Sequence, residues 1–286
     1  STELFCLIDD FFLKFEATYW NFLKQSNRSL RIRTAHLTIS EICFIAIWYK
    51  CSHFNNFKAF FIWLKEDKNH LFKYLPCYQR MIHLINMHQL ALHALHVVLM
   101  KDQGTQYLWI DSTTLPVCKN QRIQRHKSLA KIASRGKSSM GWFYGCKLHI
   151  AMNQFGEIAC SALSNGHVAD IKMVEQLVAG IKAKLYGDRG YISQELKSRL
   201  QDQGIDLITY HRKNMQAIKL SASDEYHLRQ RNKIETLFSL LKGQYHLVTS
   251  KARSTYGFLS GIYASLCAYQ LTHRNKPTIQ IMQSSA

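Results

Sequence analysis

The sequence predicts an α/β protein in two parts: an all-helical region over residues 1–104, then a domain over 105–286 built on a five-stranded mixed sheet. Three observations predict it. Capping signals and helical spacing fill the first hundred residues, with no strand-like run. From residue 105 the texture changes to short apolar runs separated by turn residues. The later elements then run as three meandering strands, a helix, a strand, a helix, a strand and a helix.

In the first region, Thr38-Ile39-Ser40-Glu41 has the spacing of a capping box, with Glu three residues after Thr. Phe54, Phe57, Phe61 and Leu64 recur on one helical face. Pro76 stands where a helix over about 77–100 begins. Short consecutive helices, with Arg80 and His83 near the start of the last, suit a helix-turn-helix DNA-binding module or plain scaffolding.

In the second region, Gln106–Ile110 reads as a buried strand and Trp142–Met152 as a second. Glu157–Leu163 reads as a third, with Asn153-Gln154-Phe155-Gly156 as the turn between the last two. A helix over about 170–184 follows, then a strand over Lys184–Gly187, a helix over about 193–203 and a strand over Asp206–Tyr210. Helices over about 225–243 and 255–273 complete the order. It matches the RNase H-like arrangement, in which the first and fourth strands lie parallel and side by side.

The net charge is +18, and it is uneven: +4 over residues 1–104 and +14 over 105–286. No acidic residue lies between Asp111 and Glu157, while eight Lys/Arg do. Such a field favours a polyanion, nucleic acid first. Arg122, Arg125, Lys127, Arg135 and Lys137 fall in a run read as a loop or extended arm suited to DNA backbone contact. Eight cysteines with no C-x-x-C pair read as free thiols in a reducing compartment. Two runs without Asp, Glu, Lys or Arg, 81–100 and 254–273, read as buried core helices, since His, Asn, Gln and Ser interrupt them. Asp9 and Asp10 break the first apolar stretch, against a signal peptide. The expectation is a cytoplasmic protein that does not enter a membrane.

Three acids stand in distinctive contexts. Asp111 ends the apolar run Tyr107–Ile110, where an unpaired carboxylate is costly. Asp188 follows the fourth strand in Gly187-Asp188-Arg189-Gly190, whose glycines allow a tight turn. Glu235 shares one side of its helix with Arg231 and Lys242, within about 40° at about 100° per residue, opposite Ile234, Leu237, Leu240 and Leu241. Converging carboxylates make a hard-oxygen site for Mg²⁺ or Mn²⁺. Two such ions, about 4 Å apart, clamp the attacking and leaving oxygens of a displacement at phosphorus. Arg231 and Lys242 are then placed to hold phosphates. Lys147 and His149, two apart on the second strand, share a face and are further candidates for phosphate contact.

The chain resembles bacterial insertion-sequence transposases of the DDE type, most closely the insertion sequence 982 group. The resemblance rests on Ile110-Asp111-Ser112, Gly141 through His149, Gly187 through Ile192, and Arg231 through Lys242, and it spans nearly the whole chain. It implies Asp111, Asp188 and Glu235 as the catalytic and metal-binding triad, with Arg231 and Lys242 as basic partners. Where related transposases often carry a Tyr three residues before the Arg, Leu228 stands here, and Tyr226 is out of register. The resemblance further implies double-stranded DNA as partner, both terminal inverted repeats and target, and a homodimer or larger assembly. Two other readings share these residues: a metal-dependent nuclease without strand transfer, and an inactive transposase-derived DNA-binding protein.

Overall fold

The computed structural model describes residues 2–25, 36–100, 104–139, 141–211, 220–247 and 252–273. The helical reading of 26–35, the junction at 101–103 and the tail from 274 lie outside these residues. The chain forms two units, one of Ser1–Leu99 with Leu241–Thr272, the other of Met100–Leu240 with His273–Ala286.

The first unit is helical: α1 (Thr2–Gln25), α2 (Ile39–Cys51), α3 (Phe57–Asp67), α4 (Tyr78–Met87) and α5 (Gln89–Leu99). Thr38 opens α2 with the expected capping box. Glu41 N donates to its hydroxyl at 3.1 Å, and its own backbone N donates to the Glu41 carboxylate at 2.7 Å. The helix expected over 77–100 is two helices, bent by 54° around His88. Neither proline nor glycine marks that bend. Among the described residues no single helix is long and apolar enough to cross a membrane.

The last helix, α10 (Thr255–Thr272), packs on α2, α4 and α5. The sequence placed it with the sheet domain. It joins the helices because it is apolar on all sides and needs cover on all sides. Its polar groups are satisfied inside that cover. Ser260 Oγ donates to Ile85 O at 3.2 Å, and Gln270 Nε2 to Leu99 O at 2.7 Å.

The second unit carries β1 (Tyr107–Cys118), β2 (Ser134–Ser138), β3 (Gly141–Asn153), β4 (Ile158–Asn165), β5 (Lys184–Gly187) and β6 (Asp206–Thr209). The sheet runs β2-β3-β1-β5-β6, and β4 also pairs with β3. The pairs β1–β3, β2–β3 and β3–β4 are antiparallel, while β1–β5 and β5–β6 are parallel. This is the RNase H-like order, with β2 as an additional short strand. The segment read as a loop or arm thus contains a 3-10 turn (Asn120–Arg125) and this edge strand.

Helices cover both faces. Leu108, Ile110 and Leu185 join a core with Val178 of α6 (Val174–Val178) and Leu200 of α7 (Gln194–Asp202). The alternate residues turn to the other face, where α8 (Ala222–Arg229) lies. There Trp109 Nε1 donates to His227 O at 2.7 Å, and Lys184 Nζ and Tyr186 Oη each donate to Asp224 Oδ1 at 2.9 Å.

Three boundaries differ from expectation. β1 continues through Cys118 because Ser112, Thr113 and Thr114 pair with His149, Leu148 and Lys147. α6 is short, since Gly180 turns the chain at φ 85°. The helix expected over 225–243 breaks at Gln230 into α8 and α9 (Asn232–Gly243), with Arg231 in the turn between.

Candidate active site

The parallel register builds the first half of the site. β1 and β5 pair as Tyr107↔Lys184, Leu108↔Leu185 and Trp109↔Tyr186. Carried two residues further, that register sets Asp111 level with Asp188. By strand alternation both point to the face that α8 covers. β5 ends at Gly187, whereas β1 continues past Asp111 along β3. Asp111 is therefore a mid-strand residue whose parallel neighbour has just ended, rather than a strand-terminal one.

The glycines beside Asp188 work by size. Neither has a positive φ. A Cβ on Gly187 would press the Tyr191 ring at 3.0 Å, and one on Gly190 would lie 2.9 Å from Asp188 Oδ1. Their absence lets Tyr191 close under the strand end and lets Asp188 Oδ1 accept from Gly190 N at 2.8 Å.

The turn before α9 and α9 itself supply the second half. Arg231 Nη1 donates to Asp111 Oδ2 at 3.3 Å, and its Nη2 to Glu235 Oε1 at 3.0 Å. One guanidinium thus joins two carboxylates that lie far apart in sequence. Asp111 Oδ1 also accepts from Ser112 N at 2.8 Å. Burial pushes the Asp111 carboxyl up to about 6; the Ser112 N–H and Arg231 oppose this, while Asp188 and Glu235 add to it. Asp188 and Glu235 are thus each within electrostatic reach of Asp111. Ile234, Leu237 and Leu241 are buried on the opposite side of α9, as its apolar pattern required. Lys242 lies in the last turn of that helix, half-buried, and burial lowers its ammonium pKa.

The donor set suits a hard divalent cation, and Arg231 already supplies positive charge to two of its members. Among the described residues no three His, Cys, Asp or Glu side chains are grouped as a closed cage. The hydrogen bonds explain this: Asp188 is turned to Gly190 N, and Arg231 holds Asp111 and Glu235. Side-chain rotation would be needed to gather them.

The remaining candidates divide by exposure. Arg122, Arg125, Lys127, Arg135 and Lys137 are all exposed. Lys147 and His149 are buried and already engaged. Lys147 Nζ donates to Val168 O at 3.0 Å and pairs with Asp170 Oδ1 at 2.9 Å. His149 Nε2 hydrogen-bonds Ser164 Oγ at 2.8 Å, and burial pulls its imidazole down to about 4. With their polar ends withdrawn from solvent, these two support the sheet and show no free face to a phosphate.

One residue near the site had no role in the sequence reading. Tyr191 is buried, its hydroxyl has no hydrogen-bond partner among the described residues, and its pKa is raised by that burial first and then by Asp111, Asp170 and Asp188. Its place in the Gly187–Ile192 motif was the available signal.

Fold and site together define a carboxylate-centred α/β protein of the RNase H-like class. Residues 101–255 match the family model described as "Transposase DDE domain", and the chain belongs to that family. Domains of this family generally use divalent metals. No curated protein matches the chain in sequence. Two solved structures are similar in shape. A chain of the piggyBac transposase synaptic complex with hairpin DNA aligns over 86% of this chain and 68% of that one, at 11% identity and a TM-score of 0.47. A chain of the simian T-cell lymphotropic virus intasome in complex with PP2A regulatory subunit B56 gamma aligns over 71% and 72%, at 11% identity and a TM-score of 0.25.

Proposed function

We propose that this chain is an insertion-sequence transposase of the kind found in the insertion sequence 982 group. It would bind the terminal inverted repeats of its element, cleave DNA 3′ ends and join them to target DNA, as a homodimer or larger assembly. The observation that carries this reading is the Arg231 bridge between Asp111 and Glu235, beside an Asp188 in register with Asp111.

Asp111, Asp188 and Glu235 would hold the divalent cations, Mg²⁺ or Mn²⁺. Bound there, two ions supply Lewis acidity at the attacking and leaving oxygens of an in-line displacement. The chain's own residues do the rest. Glu235 is the most exposed partner of Arg231 and the freest to turn inward, with a side chain 58% exposed. Released from that pair, Arg231 has a fork suited to a phosphate. The exposed basic residues from Arg122 to Lys137 would hold the DNA backbone, and Lys242 a flanking phosphate.

The test is a labelled inverted-repeat duplex incubated with Mg²⁺ or Mn²⁺, comparing the wild type with Glu235→Gln. The expected result is nicked and joined products from the wild type alone. Nicking by both proteins would remove Glu235 from the site. Nicks that never become joined products, with target DNA supplied, would instead make the chain a nuclease.

A further inference from the structure

Trp142 is the second residue of β3, on the part of it that pairs with β2, and it is one of the large exposed apolar side chains, at 54%. Its position is fixed. Ser138 pairs with Gly141, Lys137 with Trp142 itself and Arg135 with Tyr144. The Trp142 carbonyl also accepts from Asn120 Nδ2 at 2.8 Å, which ties the hairpin to the preceding 3-10 turn. Two cations attend the ring: Arg135 Cζ lies 4.7 Å from its centroid and Lys137 Nζ 5.9 Å. Among the described residues neither cation has a carboxylate within ion-pair distance, and no acid occurs in sequence from 112 to 156.

An exposed indole on a paired strand, flanked by cations with no carboxylate beside them among the described residues, combines a stacking surface with phosphate charge. Paired bases inside a duplex show only their edges to a protein. Away from a duplex end, a base can lie on an indole only if it is unpaired or has left the stack. We infer that Trp142, with Arg135 and Lys137, binds an unpaired nucleotide of a DNA strand. The indole takes the base and the two cations take its phosphates. This rests on the transposase reading and deepens it, separating contacts to the paired backbone from one contact to an unpaired end.

The experiment measures binding of the full chain to two DNAs with a chelator present, so that no strand is cut. One is a blunt duplex; the other is the same duplex with a short unpaired 3′ tail. The wild type should prefer the tailed DNA by roughly ten-fold, the range of one base stacked on an aromatic ring. Trp142→Ala should bring the two affinities to parity while leaving blunt-duplex binding unchanged. Trp142→Phe should keep most of the preference, and because Trp142 is exposed both variants should fold. Equal binding of the two DNAs by the wild type would overturn the proposal and leave the transposase reading intact. So would an equal loss on both DNAs in Trp142→Ala. Failure to bind either DNA would overturn both.

Discussion

Asp111 on β1 and Asp188, directly after the end of the parallel neighbour β5, each lie two residues beyond the last paired positions, Trp109 and Tyr186. Two carboxylates so placed, on one face and beside a third from α9, repel one another unless a cation lies among them. Arg231 meets part of that need. Replacing Asp188 with Asn should therefore keep the fold, since Asn also accepts from Gly190 N, while cutting metal-dependent nicking by about 100-fold or more. Circular dichroism and a nicking assay read the two effects separately, and near-normal nicking would refute the placement.

Arg231→Gln should make the metal-free protein more dependent on added Mg²⁺ for stability. The fork that joins Asp111 to Glu235 is gone, so the two acids need another cation. The rise in Tm on adding Mg²⁺ should exceed that of the wild type. Arg231→Lys should behave like the Gln variant more than like the wild type, because an ammonium cannot span both carboxylates as a planar fork does. Equal Tm shifts in all three proteins would argue against the bridge.

The raised Asp111 carboxyl gives a pH signature in metal-free protein. Its ordinary pKa is 3.8, and in the fold it is about 6. Between those values the folded state holds a proton that the unfolded chain has lost. Stability from this group is complete below about 4 and falls as pH rises to about 6. Its size is about 2 kcal/mol, at about 1.4 kcal/mol per unit, reduced for partial exposure. Denaturant titrations of the wild type and Asp111→Asn from pH 4 to 7 should diverge by that amount, the variant being the more stable at pH 7.

Lys50 gives the opposite window in the helical unit. Its Nζ is buried and donates to His246 O at 3.0 Å, and burial lowers its pKa to about 7. Between about 7 and 10.5 the unfolded chain keeps a proton that the folded state has released. Stability therefore rises with pH across that window. Lys50→Met should lack the rise, and parallel pH–Tm curves for the two proteins would show that Lys50 is charged as usual.

Gly145 tests the crowding where β3 meets β1. A Cβ there would collide with Leu115 O and lie 2.9 Å from Leu115 C, so Gly145→Ala should cost roughly 3 kcal/mol or more. Gly243 has open space around its Cβ position, and Gly243→Ala should leave thermal stability nearly unchanged.

Where local chemistry marks an element, the sequence showed it. The capping box at Thr38, the turn after Asn153 and the strand Lys184–Gly187 stand as read. The missed features depend on partners. β2 has no apolar run, since Ser134, Arg135, Gly136, Lys137 and Ser138 form a strand only because β3 offers an edge. The break at Gln230 carries neither Pro nor Gly, so periodicity ran through it. Asp170 heads the segment expected as a helix over 170–184, yet its side chain is drawn to Lys147 of β3. The contexts of Asp111, Asp188 and Glu235 singled them out as candidates. The Arg231 bridge was not visible, because the turn that aims it at Asp111 is set by packing of α8 against the sheet.

The edge strand β2 has a consequence for solubility. An exposed sheet edge invites pairing with the edge of another molecule. Here two of its five residues, Arg135 and Lys137, are exposed cations. A second copy approaching that edge would bring like charges face to face. The side chains that suit the surface to a polyanion also stop the sheet from growing into an aggregate.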